Sequence, residues 1–115
     1  MKLIIAGSRT IQVSPLEIKA LLDHYNLKPS EIVSGTANGV DKCGEFYAGF
    51  YHKDLARFPA DWDQFGKSAG HRRNQQMAEY ADALLLIWDG KSRGSAGMKA
   101  CMEKLNKPIY EAVEK

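Results

Sequence analysis

Three short stretches of the sequence combine glycine with residue types that bind anions. They are Gly7-Ser8-Arg9, Gly35-Thr36-Ala37 and residues 90–97, and the last of these holds three glycines in eight positions. Glycine lets backbone N–H groups approach a phosphate closely, and a helix start adds a favourable dipole. Residues 90–97 follow an apolar run and precede a helical pattern that begins near Met98. This context predicts a phosphate-binding loop.

Several polar side chains could complete such a site. Ser95 can cap the following helix or donate to a phosphate oxygen. Arg72 and Arg73 stand at a predicted helix start, where they oppose the helix dipole unless an anion is near. We expect Arg73 to bind or organise a ligand and Asn74 to offer a hydrogen bond to a sugar or phosphate, whereas Arg72 is a ligand or a solvated residue.

For two further residues the sequence supports both a structural and a functional role. Trp62 lies between Asp61 and Asp63 in the longest irregular segment, residues 59–69. It is therefore at least partly exposed, and it either stacks on a base or packs beneath the loop. Asp41 either favours the positive end of the second helix or belongs to the site.

Composition excludes several classes of protein. The net charge is +2, too small on its own to indicate nucleic-acid binding. No apolar run is long enough to span a membrane. The three histidines and two cysteines lack the spacing of metal ligands, so we expect no metal and no cofactor, with Cys43 and Cys101 buried and reduced. A cytoplasmic location follows as an expectation.

Alternating strand and helix patterns must position these residues. Residues 2–6, 31–34, 55–58, 83–88 and 108–110 read as strands, and helices are expected from Pro15, over 40–51, over 70–81 and from 98 to about 106. This order predicts an α/β fold for residues 1–115, a single Rossmann-like domain with a five-stranded, mainly parallel sheet and helices on both faces.

Helical spacing also predicts which side chains are buried. A capping box of Ser14 and Glu17, with Pro15 at the first helical position, should start the first helix. The apolar residues expected inside are Leu16, Ile18, Leu21, Leu22 and Tyr25 in the first helix, Val40, Cys43, Phe46, Tyr47 and Phe50 in the second, and Met77 and Tyr80 in the third.

The glycine-bearing turns all follow strands. In an open parallel sheet, ligands bind beyond the carboxyl ends of the strands, where the strand order reverses. If the first and fourth strands are neighbours, Arg9 can reach toward the anion held near Ser95. The G-x-G-x-x-G and G-x-x-x-x-G-K-[ST] motifs are absent, which argues against ordinary NAD binding and ATP hydrolysis.

Five ordered motifs resemble one family. They are Gly7-Ser8-Arg9, residues 34–41 (SGTANGVD), residues 58–62 (FPADW), residues 69–74 (AGHRRN) and residues 94–97 (GSAG). Together they resemble the YspA/YpsA-related branch of the SLOG superfamily, which also contains the Smf/DprA DNA-processing proteins and the Lonely-Guy phosphoribohydrolases. The resemblance implies a Rossmann-like domain that binds a nucleotide or a nucleotide-derived ligand, and a homodimer.

The enzymatic relatives use an arginine and a glutamate to cleave a nucleoside monophosphate. Arg73 takes the arginine position here, whereas Cys101 stands at the glutamate position and Met98 at a threonine position. A neutral cysteine cannot stabilise the positive charge that develops on the ribose. Another carboxylate would have to act, and Asp61 and Asp63 are among those available. The catalytic candidates are Arg73, Asp41 and Asp89.

Three hypotheses therefore stand. The first is a protein that binds a nucleotide at the carboxyl ends of the first and fourth strands. The second is a phosphoribohydrolase that cleaves the N-glycosidic bond, and the third, less favoured, is a protein that binds single-stranded DNA. The residues expected to bind ligand are Gly7, Ser8, Arg9, Gly35, Thr36, Ala37, Arg73, Asn74, Asp89, Gly94, Ser95, Ala96, Gly97 and Met98, with Trp62 as the base-stacking candidate.

Overall fold

A sheet of five parallel strands forms the centre of the molecule. The structure is a computed structural model that describes residues 1–114. The strands are β1 (Lys2–Gly7), β2 (Glu31–Ser34), β3 (Asp54–Arg57), β4 (Ala83–Trp88) and β5 (Ile109–Val113). Their order in the sheet is β3-β2-β1-β4-β5, with every neighbouring pair parallel. The predicted α/β fold is confirmed.

Helices cover both faces of the sheet. They are α1 (Pro15–His24), α2 (Val40–Phe50), α3 (Trp62–Phe65), α4 (Ala69–Tyr80) and α5 (Arg93–Lys104), with a 3₁₀ turn at Gly66–Ser68. Successive side chains of a strand point to opposite faces. Leu3 and Ile5 therefore pack in one core with α1 and α2, whereas Ile4 and Ala6 pack in a second core with α4 and α5.

The start of α1 agrees with the sequence. The Ser14 side chain accepts from the Glu17 backbone N–H at 3.1 Å, and the Glu17 carboxylate accepts from the Ser14 N–H at 3.3 Å. This reciprocal pair satisfies two backbone donors that a helix start otherwise leaves unpaired. Ile18 and Leu22 are buried as expected, but Leu16 is exposed because it lies on the opposite side of the helix.

Three aromatic residues expected inside are exposed. The buried stripe of α2 follows positions 40, 43, 44, 47 and 48, a helical spacing that leaves Phe46 and Phe50 outside it. Tyr80, at the end of α4, is also partly exposed, with Lys2 over its ring. The prediction of burial was therefore wrong for these three side chains.

Two stretches of helix were not expected from the sequence. Helix α5 begins at Arg93, five residues before Met98, so residues 94–97 are helical. The segment 59–69 is not irregular throughout, since it contains α3 and the 3₁₀ turn. Glycines lower helix propensity, which hid the first turn of α5 from sequence reasoning.

Candidate functional site

The carboxyl ends of β1 and β4 lie side by side at the centre of the sheet. Gly7 is in register with Ile87. The chain leaves β1 for helices on one face and leaves β4 for α5 on the other face. This is a point where the strand connections diverge, and in open α/β sheets such points hold ligands.

A cavity of about 420 Å³ opens at this point, and we call it the main cavity. Its volume is within the usual range for small-molecule sites. Eleven of the residues singled out in the sequence line it: Gly7, Ser8, Arg9, Ala37, Asp41, Arg73, Asn74, Asp89, Gly94, Ser95 and Met98. The structure thus brings together all three catalytic candidates and most of the predicted binding residues.

The turn after β1 is tied closely to β4. A Cβ at Gly7 would lie 1.7 Å from the Ile87 carbonyl oxygen, so only glycine fits there. The Ser8 N–H donates to that same carbonyl at 3.1 Å, and the buried Ser8 hydroxyl accepts from the Asp89 N–H at 3.1 Å. Gly7 and Ser8 thereby fix the floor of the main cavity.

The backbone donors before α5 already have acceptors within the chain. Asp89 Oδ1 accepts from the Lys91 N–H at 2.8 Å and from the Ser92 N–H at 2.9 Å. The Ser92 hydroxyl, not that of Ser95, caps the helix and accepts from the Ser95 N–H at 3.4 Å. A carboxylate and a serine of the chain thus accept from three N–H groups of the predicted phosphate loop, those of Lys91, Ser92 and Ser95. An anion at this loop stays a prediction.

The same contacts set the charge of Asp89. Hydrogen bonds from the backbone N–H groups of Lys91 and Ser92 lower the pKa of the Asp89 carboxyl. A carboxylate that accepts several N–H groups is stabilised in its ionised form. Asp89 is consequently an anion at neutral pH, and it gives the α5 side of the main cavity a negative charge.

Arg73 joins three elements around the main cavity. Its Nη1 donates to the Gly35 carbonyl and its Nε donates to Asn74 Oδ1 at 3.0 Å. The buried Asn74 amide in turn donates to the Gly94 carbonyl at 3.3 Å. This chain of hydrogen bonds links the loop after β2, helix α4 and the start of α5, and it holds the guanidinium in place.

Asp41 is a buried acid in the wall of the main cavity. Its side chain accepts from the Ala37 N–H at 3.3 Å, and the residue is 5% exposed. Burial raises the pKa of the Asp41 carboxyl to about 6, although the Ala37 N–H and the charge of Arg73 act in the opposite direction. A Cβ at Gly35 would lie within 3 Å of both the Asp41 and Arg73 side chains, so glycine is needed for their approach.

A second cavity of about 370 Å³ adjoins the first, and we call it the Trp62 chamber. Gly35, Thr36 and Trp62 line it. Asn38, Pro59 and Ala60 line it too; they lie in the motifs at residues 34–41 and 58–62 but were not among the predicted binding residues. Arg9, Ala37 and Arg73 line both cavities. Thr36 has φ of 65°, a left-handed conformation that is strained for a β-branched residue and that recurs at ligand sites.

Other singled-out residues lie away from both cavities. Ala96 is exposed on α5, and Gly97 lies behind the cavity wall against Asn74. Cys101 is buried between α4 and α5 beside a separate groove, so the position aligned with the catalytic glutamate of the enzymes does not line the main cavity. Asp61 caps α3 by accepting from the Gln64 N–H at 3.1 Å.

Sequence reasoning missed two residues of the main cavity that a known signal could have found. Ser92 is followed by a helical pattern, and serine is a preferred helix cap. Met77 shares the helical face of Asn74 and Arg73 and forms part of the apolar wall. Recognising the first would have moved the start of α5 to its observed place.

The two arginines that line both cavities have no close carboxylate partner. Within residues 1–114, neither the Arg9 nor the Arg73 guanidinium forms an ion pair within 4 Å. Burial, together with the charge of Arg9, lowers the pKa of Arg73, while Asp41 raises it. Two guanidinium groups that repel each other at one cavity make a favourable place for an anion.

No group of three or more metal-ligating side chains occurs in the described part of the chain. No family model, curated protein or solved structure matches this chain. The SLOG resemblance therefore remains a prediction. Function must be inferred from the geometry and charge of the two cavities.

Proposed function

We propose that the protein binds a nucleotide or a nucleotide-derived phosphorylated ligand at the carboxyl ends of β1 and β4. The observation that supports this most directly is that two guanidinium groups at the main cavity, those of Arg9 and Arg73, form no ion pair with a carboxylate of the described residues. Arginine binds phosphate oxygens through paired N–H donors and stays charged at all working pH values.

Other walls of the main cavity suit the sugar of a nucleotide better than a simple ion. Asp41, Asp89 and Asn74 offer oxygen acceptors for hydroxyl groups. Met77 and Met98 add an apolar surface behind them. A volume of about 420 Å³ also exceeds what one phosphate ion needs.

Calorimetric titration with AMP, ADP and ADP-ribose tests the proposal. Arg73→Ala should weaken binding about ten-fold to a hundred-fold, since hydrogen bonds to charged groups are worth roughly 1.5–3 kcal/mol. The matched control is Arg72→Ala, because Arg72 contacts Ser68 and the Phe65 ring outside both cavities. Equal affinities of the two variants, or no binding by the unmodified protein, would refute the proposal.

A second candidate function is cleavage of the N-glycosidic bond. The observation that favours it is a pair of carboxyls in one cavity whose pKa values move apart: burial raises that of Asp41 to about 6, and backbone N–H groups lower that of Asp89. Such pairs supply an acid and a charged partner. Protonated Asp41 would give its proton to the leaving base as the N-glycosidic bond breaks, and Asp89 would stabilise the positive charge on the ribose. The water that attacks the anomeric carbon would pass a proton to the Asp41 carboxylate, which restores the acid.

This reaction is tested by incubating the protein with AMP and separating the products by chromatography. Free adenine and ribose 5-phosphate are expected in equal amounts, and Asp41→Asn should reduce their formation at least a hundred-fold. Asp61→Asn, which alters an acid outside both cavities, should leave the rate unchanged. If AMP stays intact after prolonged incubation, the enzymatic hypothesis is refuted and only the binding function stands.

Location and assembly belong to the proposal as well. No helix within residues 1–114 is long and apolar enough to cross a membrane. A cytoplasmic location and a homodimer are what the family resemblance and the composition lead us to propose. Light scattering on the purified protein measures the second directly.

A further inference from the structure

The main cavity and the Trp62 chamber meet at the two arginines. Arg9, Ala37 and Arg73 line both, and the volumes are about 420 and 370 Å³. A ligand long enough to occupy both cavities would therefore pass these guanidinium groups. A mononucleotide held at the arginines would leave one of the two cavities without contacts.

The Trp62 chamber suits a flat aromatic group. The residue Trp62 is 52% exposed, although α3 places it close to the start of α4. A Cβ at Gly70 would lie 3.4 Å from Trp62 Cη2 and 3.9 Å from Arg73 Nη2, so the indole and the guanidinium approach the same point. Pro59 and Ala60 add apolar surface, and an exposed indole is a sequence-tolerant platform for a base.

The two cavities differ in charge, and this difference sets the orientation of the ligand. The carboxyls Asp41 and Asp89 line the main cavity but not the Trp62 chamber. Phosphoryl groups are repelled by the ionised Asp89 and attracted by the guanidinium groups at the junction. Sugar hydroxyls, in contrast, can donate to these carboxylates. The base, the phosphates and a sugar thus each have one favourable place.

We infer that the ligand is a nucleoside diphosphate joined to a second sugar. Its base stacks on Trp62, its diphosphate lies between Arg9 and Arg73, and its terminal sugar enters the main cavity beside Asp41, Asp89 and Asn74. This inference rests on the proposed nucleotide-binding function and adds the class of ligand and its orientation.

Calorimetric titration with ADP-ribose, ADP and AMP tests the inference. ADP-ribose should bind at least ten-fold more tightly than AMP, since AMP lacks the second phosphate and the terminal sugar. Trp62→Ala should weaken ADP-ribose binding about ten-fold, as for other single bases stacked on aromatic side chains. Trp62→Phe, which retains an aromatic ring, should stay within about three-fold of the unmodified protein.

Phe65→Ala provides the matched control, because Phe65 ends the same short helix and lies outside both cavities. Circular dichroism checks that each variant is folded. Unchanged ADP-ribose affinity in Trp62→Ala, or equal affinities of ADP-ribose and AMP, would overturn the inference while leaving nucleotide binding intact. If the unmodified protein binds none of the three, the proposed function and this inference both fail.

Discussion

Asp41 affects both the stability of the protein and its proposed function. It is buried, faces the charge of Arg73 and contacts the Ala37 N–H without a full ion pair. Burying an ionised carboxyl costs free energy, and its pKa is raised accordingly to about 6. A negatively charged ligand beside it should raise this pKa further, which couples ligand binding to proton uptake.

The raised pKa of Asp41 predicts a pH-dependent stability difference. The carboxyl has its ordinary pKa near 3.9 in the unfolded chain and about 6 in the folded protein. The folded state thus holds the proton more tightly, so the free energy of unfolding falls as the pH rises from 4 to 7, by about 2 kcal/mol. In the Asp41→Asn variant this contribution to the free energy of unfolding does not change with pH, because asparagine does not titrate.

Urea unfolding of the unmodified protein and Asp41→Asn at pH 4 and pH 7 measures the effect. The difference in unfolding free energy between the two should change by about 2 kcal/mol in favour of the variant at the higher pH. Other titrating groups cancel because both proteins contain them. A difference that does not vary with pH would contradict the raised pKa.

Among the elements, three helices end in the same way. Residues Asn26, His52 and Asn106, which follow α1, α2 and α5, each have φ of 56°. The next residue then donates back into the helix, as Lys53 N–H does to the Ala48 carbonyl at 2.8 Å. This left-handed ending favours glycine or asparagine, so His52 is the least suited of the three.

His52→Gly should therefore stabilise the protein. Glycine adopts the left-handed conformation without strain, and the expected gain in unfolding free energy is about 1 kcal/mol. His24→Gly, at the last residue of α1, serves as the control, because glycine at a position with helical conformation should lower the stability. Thermal unfolding of both variants measures these effects. A lower midpoint for His52→Gly than for the unmodified protein would show that a contact of the imidazole stabilises the fold by more than the backbone strain costs.

At the scale of the whole molecule, the contact between β1 and β4 holds the two cores and the cavity in register. These central strands pair over five residues, from Leu3 with Ala83 to Gly7 with Ile87. The last of these pairs leaves no room for a side chain at Gly7. The site and the centre of the sheet therefore depend on the same close approach.

Gly7→Ala should destabilise the entire fold. Its Cβ would overlap the Ile87 carbonyl, which forces β1 and β4 apart and costs roughly 3 kcal/mol or more. Gly49→Ala, on the exposed side of α2 where nothing lies within 4 Å, should instead gain about 0.5–1 kcal/mol. Chemical unfolding of both variants measures the two free energies of unfolding. Similar values would mean that β1 and β4 can move apart at little cost.

The sequence predicted which residues line the site better than it predicted what each of them does there. Glycine turns after apolar runs marked the carboxyl ends of β1, β2 and β4, and a rule about parallel sheets placed them together. The assignment of an anion to the N–H groups of residues 90–97 stays a prediction, and three of these groups already have acceptors within the chain. Whether those donors are free depends on the side chains of Asp89 and Ser92, which accept from N–H groups two or three residues further along the chain. Such contacts are typical of turns and helix caps, but the glycines of this segment hid the start of the helix.

The sequence by itself determined the alternation of strands and helices, the capping box of α1 and the set of turns that surrounds the main cavity. These features depend on periodicity and on local backbone preferences, which neighbouring residues carry. Only the tertiary structure decided that Arg9 and Arg73 meet at a junction of two cavities, that Asp41 is buried and that Phe46 and Phe50 are exposed. Burial and charge at those positions arise from segments far apart in the chain, and packing alone brings them together.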